Sequence, residues 1–172
     1  MMRSPNSNRI TRLAALTAVG MILGYLESFI VIPIAVPGIR LGLSNIITLI
    51  TLYLEGPLAA FAVTGSRVLL SALLFGSPVS FLYSISGAVL ALAGMYLMRS
   101  AGFSIYGVSV SGAVLHNMAQ LIVACFLVGS GYVFVYIPVL LFAGTLAGLV
   151  VGFLANILIQ RLKRFFNESE GR

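Results

Sequence analysis

The feature that most constrains this sequence is a series of long apolar runs, separated by short breaks that contain glycine or proline. Hydrophobic residues make up 60% of the chain and charged residues only 8%, whereas soluble domains carry about 25% charged residues. So few charges cannot cover a water-exposed surface. The chain is therefore predicted to be an integral membrane protein, with residues 1–172 forming a single membrane domain.

Six of the apolar runs are predicted to be membrane helices, because a helix needs about 20 residues to cross the bilayer. The predicted spans cover residues 13–32, 41–54, 58–75, 78–98, 108–128 and 132–159. The second run is short, which leaves open a tilted or partly re-entrant helix. The predicted fold class is all-α, with six transmembrane helices.

The distribution of basic residues predicts the orientation. Arg3, Arg9 and Arg12 precede the first span, and a second basic cluster at 161–164 follows the sixth. Cytoplasmic flanks of membrane helices are rich in Lys and Arg, so both termini are predicted to be cytoplasmic, with flanks at 1–12 and 161–172. This placement accounts for the net charge of +6, and no nucleic-acid partner is expected.

Arg40 is the exception to this distribution, because it falls in an outward-facing loop. It precedes the amino end of the second helix, where an anion would be favoured. The alternative is contact with lipid phosphates at the outer surface.

Two opposite charges lie within the predicted spans, Glu27 in the first and Arg67 in the third. Charged groups in the membrane interior are costly and usually face a partner or a cavity. A salt bridge between them is expected, either as a structural lock or as part of a ligand site.

The fifth span contains the segment SVSGAVLHNMAQ, in which His116 and Gln120 share one helix face and Asn117 lies beside it. These side chains can donate and accept hydrogen bonds, so a ligand or a water-filled cavity is favoured over hydrogen bonding between helices. Asn45 lies at the edge of a polar stripe on the second span.

Small residues recur on the sixth span, where Gly144, Gly148 and Gly152 are spaced every fourth residue. This spacing lets helices approach closely. Internal packing is the favoured interpretation, and dimerisation is the alternative.

Several residue types required for catalysis are missing. The four acidic residues are all glutamates, so an Asp-rich diphosphate–metal motif cannot form, and the one Lys, Lys163, lies outside any GxxxxGK[ST] loop. One His and one Cys cannot build a typical zinc site. The chain is predicted not to be an enzyme and to carry no metal or cofactor.

Two segments, PGIRLGLSNIITL and SGAVLHNMAQL, resemble the small bacterial membrane proteins of the Gx transporter family, also labelled heptaprenyl diphosphate synthase component I. The resemblance extends from about Arg12 to Gln160. That family is similar to the substrate-binding S components of energy-coupling factor (ECF) transporters, which have six helices and both termini in the cytoplasm.

The resemblance implies a substrate-binding membrane subunit that imports a small polar or anionic solute in the cytoplasmic membrane. Ala14 and Ala18 match the AxxxA motif with which S components pack against a transmembrane coupling protein, which works with ATPase subunits. The candidate ligand contacts are Glu27, Arg40, Asn45, Arg67, His116, Asn117 and Gln120. The alternatives are a non-catalytic accessory to isoprenoid synthesis and an autonomous ion-coupled carrier.

Overall fold

The computed structural model of the chain describes residues 5–29 and 42–170, and the side chains within residues 8–29 and 42–164. In these ranges the chain forms helices and short connections, without a β-strand. The helices are α1 Pro5–Glu27, α2 Asn45–Leu54, α3 Pro57–Phe75, α4 Pro78–Ser100, α5 Ile105–Val128 and α6 Ile137–Glu170, with a 3₁₀ helix at Gly131–Tyr136 between α5 and α6.

The helix ends lie at the residues whose chemistry favours them. Pro57 and Pro78 open α3 and α4, where a missing N–H costs nothing. Ser77 and Ser104 cap α4 and α5 through side-chain oxygens that accept backbone N–H groups. Gly129 ends α5 with φ +68°, a left-handed conformation that glycine adopts without strain.

The predicted fold class is confirmed, and the second segment proves to be an inner helix. Within the described ranges, five helices are long and apolar enough to cross a membrane. The ten residues of α2 extend only about 15 Å, about half of the hydrocarbon thickness. Eight of these ten residues are buried, because α2 is surrounded by the longer helices.

α1 and α6 extend furthest beyond their predicted bounds. α1 begins at Pro5 rather than residue 13, and α6 continues to Glu170 rather than ending at residue 159. The added segments are polar flanks without an internal glycine or proline, so nothing in them stops a helix. The predicted last residues of the first span, 30–32, lie outside the described residues.

One end of α2 is bound to the start of α1 through Glu55. The Glu55 carboxylate pairs with Arg9 at 3.2 Å and with Arg12 at 2.9 Å. These contacts place the start of α1 and the end of α2 on one side of the molecule, here called the terminal side.

Arg99, in the last turn of α4, lies on the same side. Its guanidinium donates to the Leu52 carbonyl and lies 4.8 Å from the centre of the Tyr53 ring. A cation at the carboxyl end of α2 is favourable, because the carbonyls there carry partial negative charge.

The glycine series on α6 faces α5. A Cβ at Gly148 would lie 2.6 Å from the Val110 Cα, and one at Gly152 would lie 3.3 Å from the Tyr106 Cα. At Gly144 the nearest atom to such a Cβ would be the Asn117 Nδ2, at 2.9 Å. The backbones of α5 and α6 therefore approach closely along this face, and the glycines are covered from within the chain.

We expect Gly148→Ala to destabilise the protein by about 1–3 kcal/mol, because the new methyl group would press on the backbone of α5. The measurement is thermal unfolding of the purified protein in detergent. Gly65→Ala is the matched control. It is also helical, but nothing lies within 4 Å of its Cβ position, so it should leave the melting temperature unchanged or raise it. Equal melting temperatures for Gly148→Ala and the wild type would contradict the close packing.

Candidate ligand-binding site

Glu27 connects the end of α1 to the start of α2. Its carboxylate accepts a hydrogen bond from the Gly42 N–H and lies 3.5 Å from the Ser44 N. Ser44 makes no side-chain cap of its own, so Glu27 supplies the acceptor that the amino end of α2 requires. The side chain is buried, with 3% exposure, and its negative charge lies where the helix dipole favours it.

Arg67 runs along the surface of α1 at two glycines. A Cβ at Gly20 would lie 2.6 Å from the Arg67 Cδ, and one at Gly24 would lie 4.0 Å from its Nη1. The glycines therefore leave the space that this buried arginine occupies. Since Glu27 follows Gly24 by three residues, both charges lie near the end of α1 opposite the terminal side. The predicted Glu27–Arg67 salt bridge stays a prediction.

The His116 imidazole lies between α4 and the residues that precede α2. A Cβ at Gly87 would lie 2.7 Å from its Nδ1, and one at Gly42 would lie 3.3 Å from its Cδ2. Gly42 has φ +81°, which a residue with a side chain rarely adopts. The same Cβ position on Gly42 lies 2.7 Å from the Asn45 Nδ2, so His116 and Asn45 face the same backbone position.

Among the residues that the structure describes, the Asn45 amide has no hydrogen-bond partner. Both its Oδ1 and its Nδ2 are buried and unpaired, and the residue is only 2% exposed. Leaving such a group unsatisfied costs about 1–3 kcal/mol. A buried donor and acceptor side by side therefore mark a position where a ligand or ordered water would gain two hydrogen bonds.

Asn117 and Gln120 belong to the same helix as His116 but differ in surroundings. The Asn117 Nδ2 donates to the Leu140 carbonyl of α6 at 3.1 Å, while its Oδ1 is buried without a partner. Asn117 therefore connects α5 to α6. Gln120 is completely buried, one helical turn beyond His116.

A small cavity of about 80 Å³ lies between α1, α3 and α4 on the side opposite the terminal side. Its lining includes the hydroxyl-bearing residues Ser28, Ser71 and Ser84, together with Gly24. Gly24 also adjoins Arg67. The cavity therefore lies next to the glycine that borders the Arg67 guanidinium.

Sequence reasoning did not single out the glycines that make room for the site. Gly20 and Gly24 accommodate Arg67, and Gly42 and Gly87 accommodate His116 and Asn45. The spacing of four residues between Gly20 and Gly24 on a membrane helix was a signal for close approach. Gly87 is a single glycine within an apolar helix, which gives no such signal.

The remaining predicted residues lie away from this cluster or cannot be placed. Arg40 lies outside the described residues. Ala14 and Ala18 are exposed on α1. Among the residues that the structure describes, no group of three His, Cys, Asp or Glu side chains could hold a metal ion.

The fold has a counterpart among solved structures. The S component of a bacterial ECF transporter superposes with a TM-score of 0.64 at 20% sequence identity, over 94% of this chain and 98% of that chain. The protein is thus a multi-pass helical membrane protein with the S-component fold. A comparison with curated proteins yields no match.

The sequence also identifies a family. The family model described as heptaprenyl diphosphate synthase component I matches residues 16–158. The chain belongs to this family.

Removal of the Glu27 carboxylate should destabilise the fold. We expect Glu27→Ala to lower the free energy of unfolding by about 1–3 kcal/mol, because the Gly42 N–H would be left buried without an acceptor. Glu27→Gln keeps an oxygen acceptor and should recover part of the loss. Thermal unfolding of both variants tests this role. An equal loss of stability in Glu27→Ala and Glu27→Gln would contradict a role for the side-chain oxygen as a hydrogen-bond acceptor.

Proposed function

We propose that this protein is the substrate-binding membrane subunit of a transporter. The observation that carries the proposal is the unpaired, buried amide of Asn45 beside the His116 imidazole. Unsatisfied polar groups inside a membrane protein are expensive and mark functional positions. The S-component fold supports the same function.

The chemistry of the cluster favours a small polar or anionic solute, such as a vitamin-like compound or a precursor. The Asn45 amide offers one donor and one acceptor, and the imidazole of His116 can act as either. Arg67 adds a fixed positive charge, because its guanidinium does not lose its proton in proteins. Glu27 orients the start of α2, so it acts on the ligand through the Gly42 backbone.

The terminal side is proposed to face the cytoplasm. The described basic side chains outside the membrane interior, on α1, α4 and α6, lie at that side, as expected for cytoplasmic flanks. The buried polar cluster then lies toward the outer surface, where a solute would arrive.

The proposed partners are a transmembrane coupling protein and ATPase subunits. Two exposed alanines on α1, Ala14 and Ala18, would let a partner helix approach closely. Energy for uphill transport would come from a partner or from an ion gradient, because this chain has no nucleotide-binding loop; the S-component fold favours the partner.

The second candidate function is a non-catalytic membrane accessory to isoprenoid or quinone synthesis, which the family description favours. A synthase activity of the chain itself is not proposed. Prenyl diphosphates are commonly bound through magnesium held by carboxylates. The two carboxylates whose side chains the structure describes, Glu27 and Glu55, lie at opposite ends of α2.

The ligand prediction can be tested by native mass spectrometry of the protein purified from its own membranes. We expect the wild type to retain a small solute and Asn45→Leu to lose it, because leucine has a similar size but no amide. Asn156→Leu is the matched control, since Asn156 lies on α6 toward the terminal side, near Tyr106. Retention of the same solute by Asn45→Leu would contradict the proposed site.

The partner prediction can be tested by affinity purification of the tagged chain. We expect a coupling protein and two ATPases to co-purify, and Ala18→Phe to release them. Ala93→Phe adds the same ring to an exposed alanine on α4 and should have no effect. Recovery of a soluble prenyl synthase alone, with a higher product yield, would instead support the accessory function.

A further inference from the structure

An apolar groove of about 310 Å³ runs between α1 and α6, with α2 as its floor. Ala15 and Val19 form one wall, Leu158 and Leu162 form the other, and Ile50 lies on the floor. Within the described residues no Cα atom of α1 lies within 8 Å of a Cα atom of α6, although both helices approach α2 within that distance. The groove is therefore open to the lipid.

The groove ends at charged residues on the terminal side. Arg12 and Glu55 line that end, and they pair with each other at 2.9 Å. Arg9 also pairs with Glu55 but remains more than half exposed. Since Glu55 is a single carboxylate, its two arginine partners leave positive charge in excess at this end.

The other wall adds further positive charge. Arg161 is exposed on α6, three residues after Leu158 and directly before Leu162. Side chains three residues apart are neighbours on a helix surface, so Arg161 lies near the mouth of the groove. Arg164 has a different spacing from both leucines and lies on another face.

We propose that this groove binds an anionic phospholipid of the cytoplasmic leaflet. One acyl chain would lie along the apolar walls, and the phosphate would contact Arg9, Arg12 and Arg161. An amphiphile with one negative charge matches both parts of the surface, whereas a neutral lipid matches only the apolar part. Basic pockets between membrane helices on the cytoplasmic side are suited to anionic headgroups.

The test uses the full chain in a neutral detergent and two lipids with identical oleoyl chains, phosphatidylglycerol and phosphatidylcholine. Native mass spectrometry counts the lipid molecules that remain bound. We expect one phosphatidylglycerol to be retained in preference to phosphatidylcholine. Arg161→Gln should weaken this binding about fivefold, since one basic residue near an anionic surface contributes about 1 kcal/mol.

Variants of the groove separate the two parts of the site. Ala15→Phe fills the groove and should abolish retention, and Val19→Phe provides a second variant should the first fold poorly. Ala93→Phe adds the same ring to an exposed alanine on α4, which does not line the groove, and Arg164→Gln removes a charge from another face. Both controls should retain phosphatidylglycerol like the wild type.

Three results would overturn the proposal. Equal retention of the two lipids would mean that the charges do not select the headgroup. Unchanged retention in both Ala15→Phe and Val19→Phe would place the lipid elsewhere. Loss of partner proteins from these variants, with lipid binding intact, would identify the groove as a protein-docking surface.

Discussion

The structure depends on a short buried helix whose two ends are matched by charges from its neighbours. α2 is too short to reach both membrane surfaces, so the N–H groups at its amino end lie where water cannot easily satisfy them. Glu27 supplies a negative charge at the amino end, and Arg99 supplies a positive charge at the carboxyl end. Each of these charges agrees in sign with the helix dipole, a term of about 0.3–1 kcal/mol at an exposed site and up to about 2 kcal/mol where it is partly buried.

This arrangement explains why the buried side chains of Glu27, Asn45 and His116 lie together near the amino end of α2. Because α2 begins inside the protein, the backbone N–H groups of Gly42 and Ser44, just before its first residue, lie in the interior. Glu27 supplies an acceptor for Gly42, and the left-handed conformation of Gly42 brings the backbone against His116 and Asn45. The candidate site is thus a consequence of an incomplete membrane crossing.

Much of the fold could be predicted from the sequence, but the position of the second helix inside the bundle could not. The first residues of α3 and α4 could be predicted from Gly56–Pro57 and Pro78, because proline favours the first turn of a helix whatever its distant neighbours are. The role of α2 as an inner helix depends on neighbours that are distant in sequence.

For the site, the residue types identified His116 and Asn45, since polar groups in apolar runs stand out. Their closeness in space could not be predicted. It depends on Gly87 and Gly42, which have no side chain and so leave room for the His116 and Asn45 side chains.

The close approach of Arg67 to Gly20 also limits how this protein can change over time. The arginine stem occupies the volume that any side chain at position 20 would need. A larger residue at position 20 would force the Arg67 side chain to move, and a shorter residue at position 67 would relieve this clash. These two positions are 47 residues apart in the sequence. Their residue types are nevertheless expected to covary among relatives, because the two side chains compete for the same space.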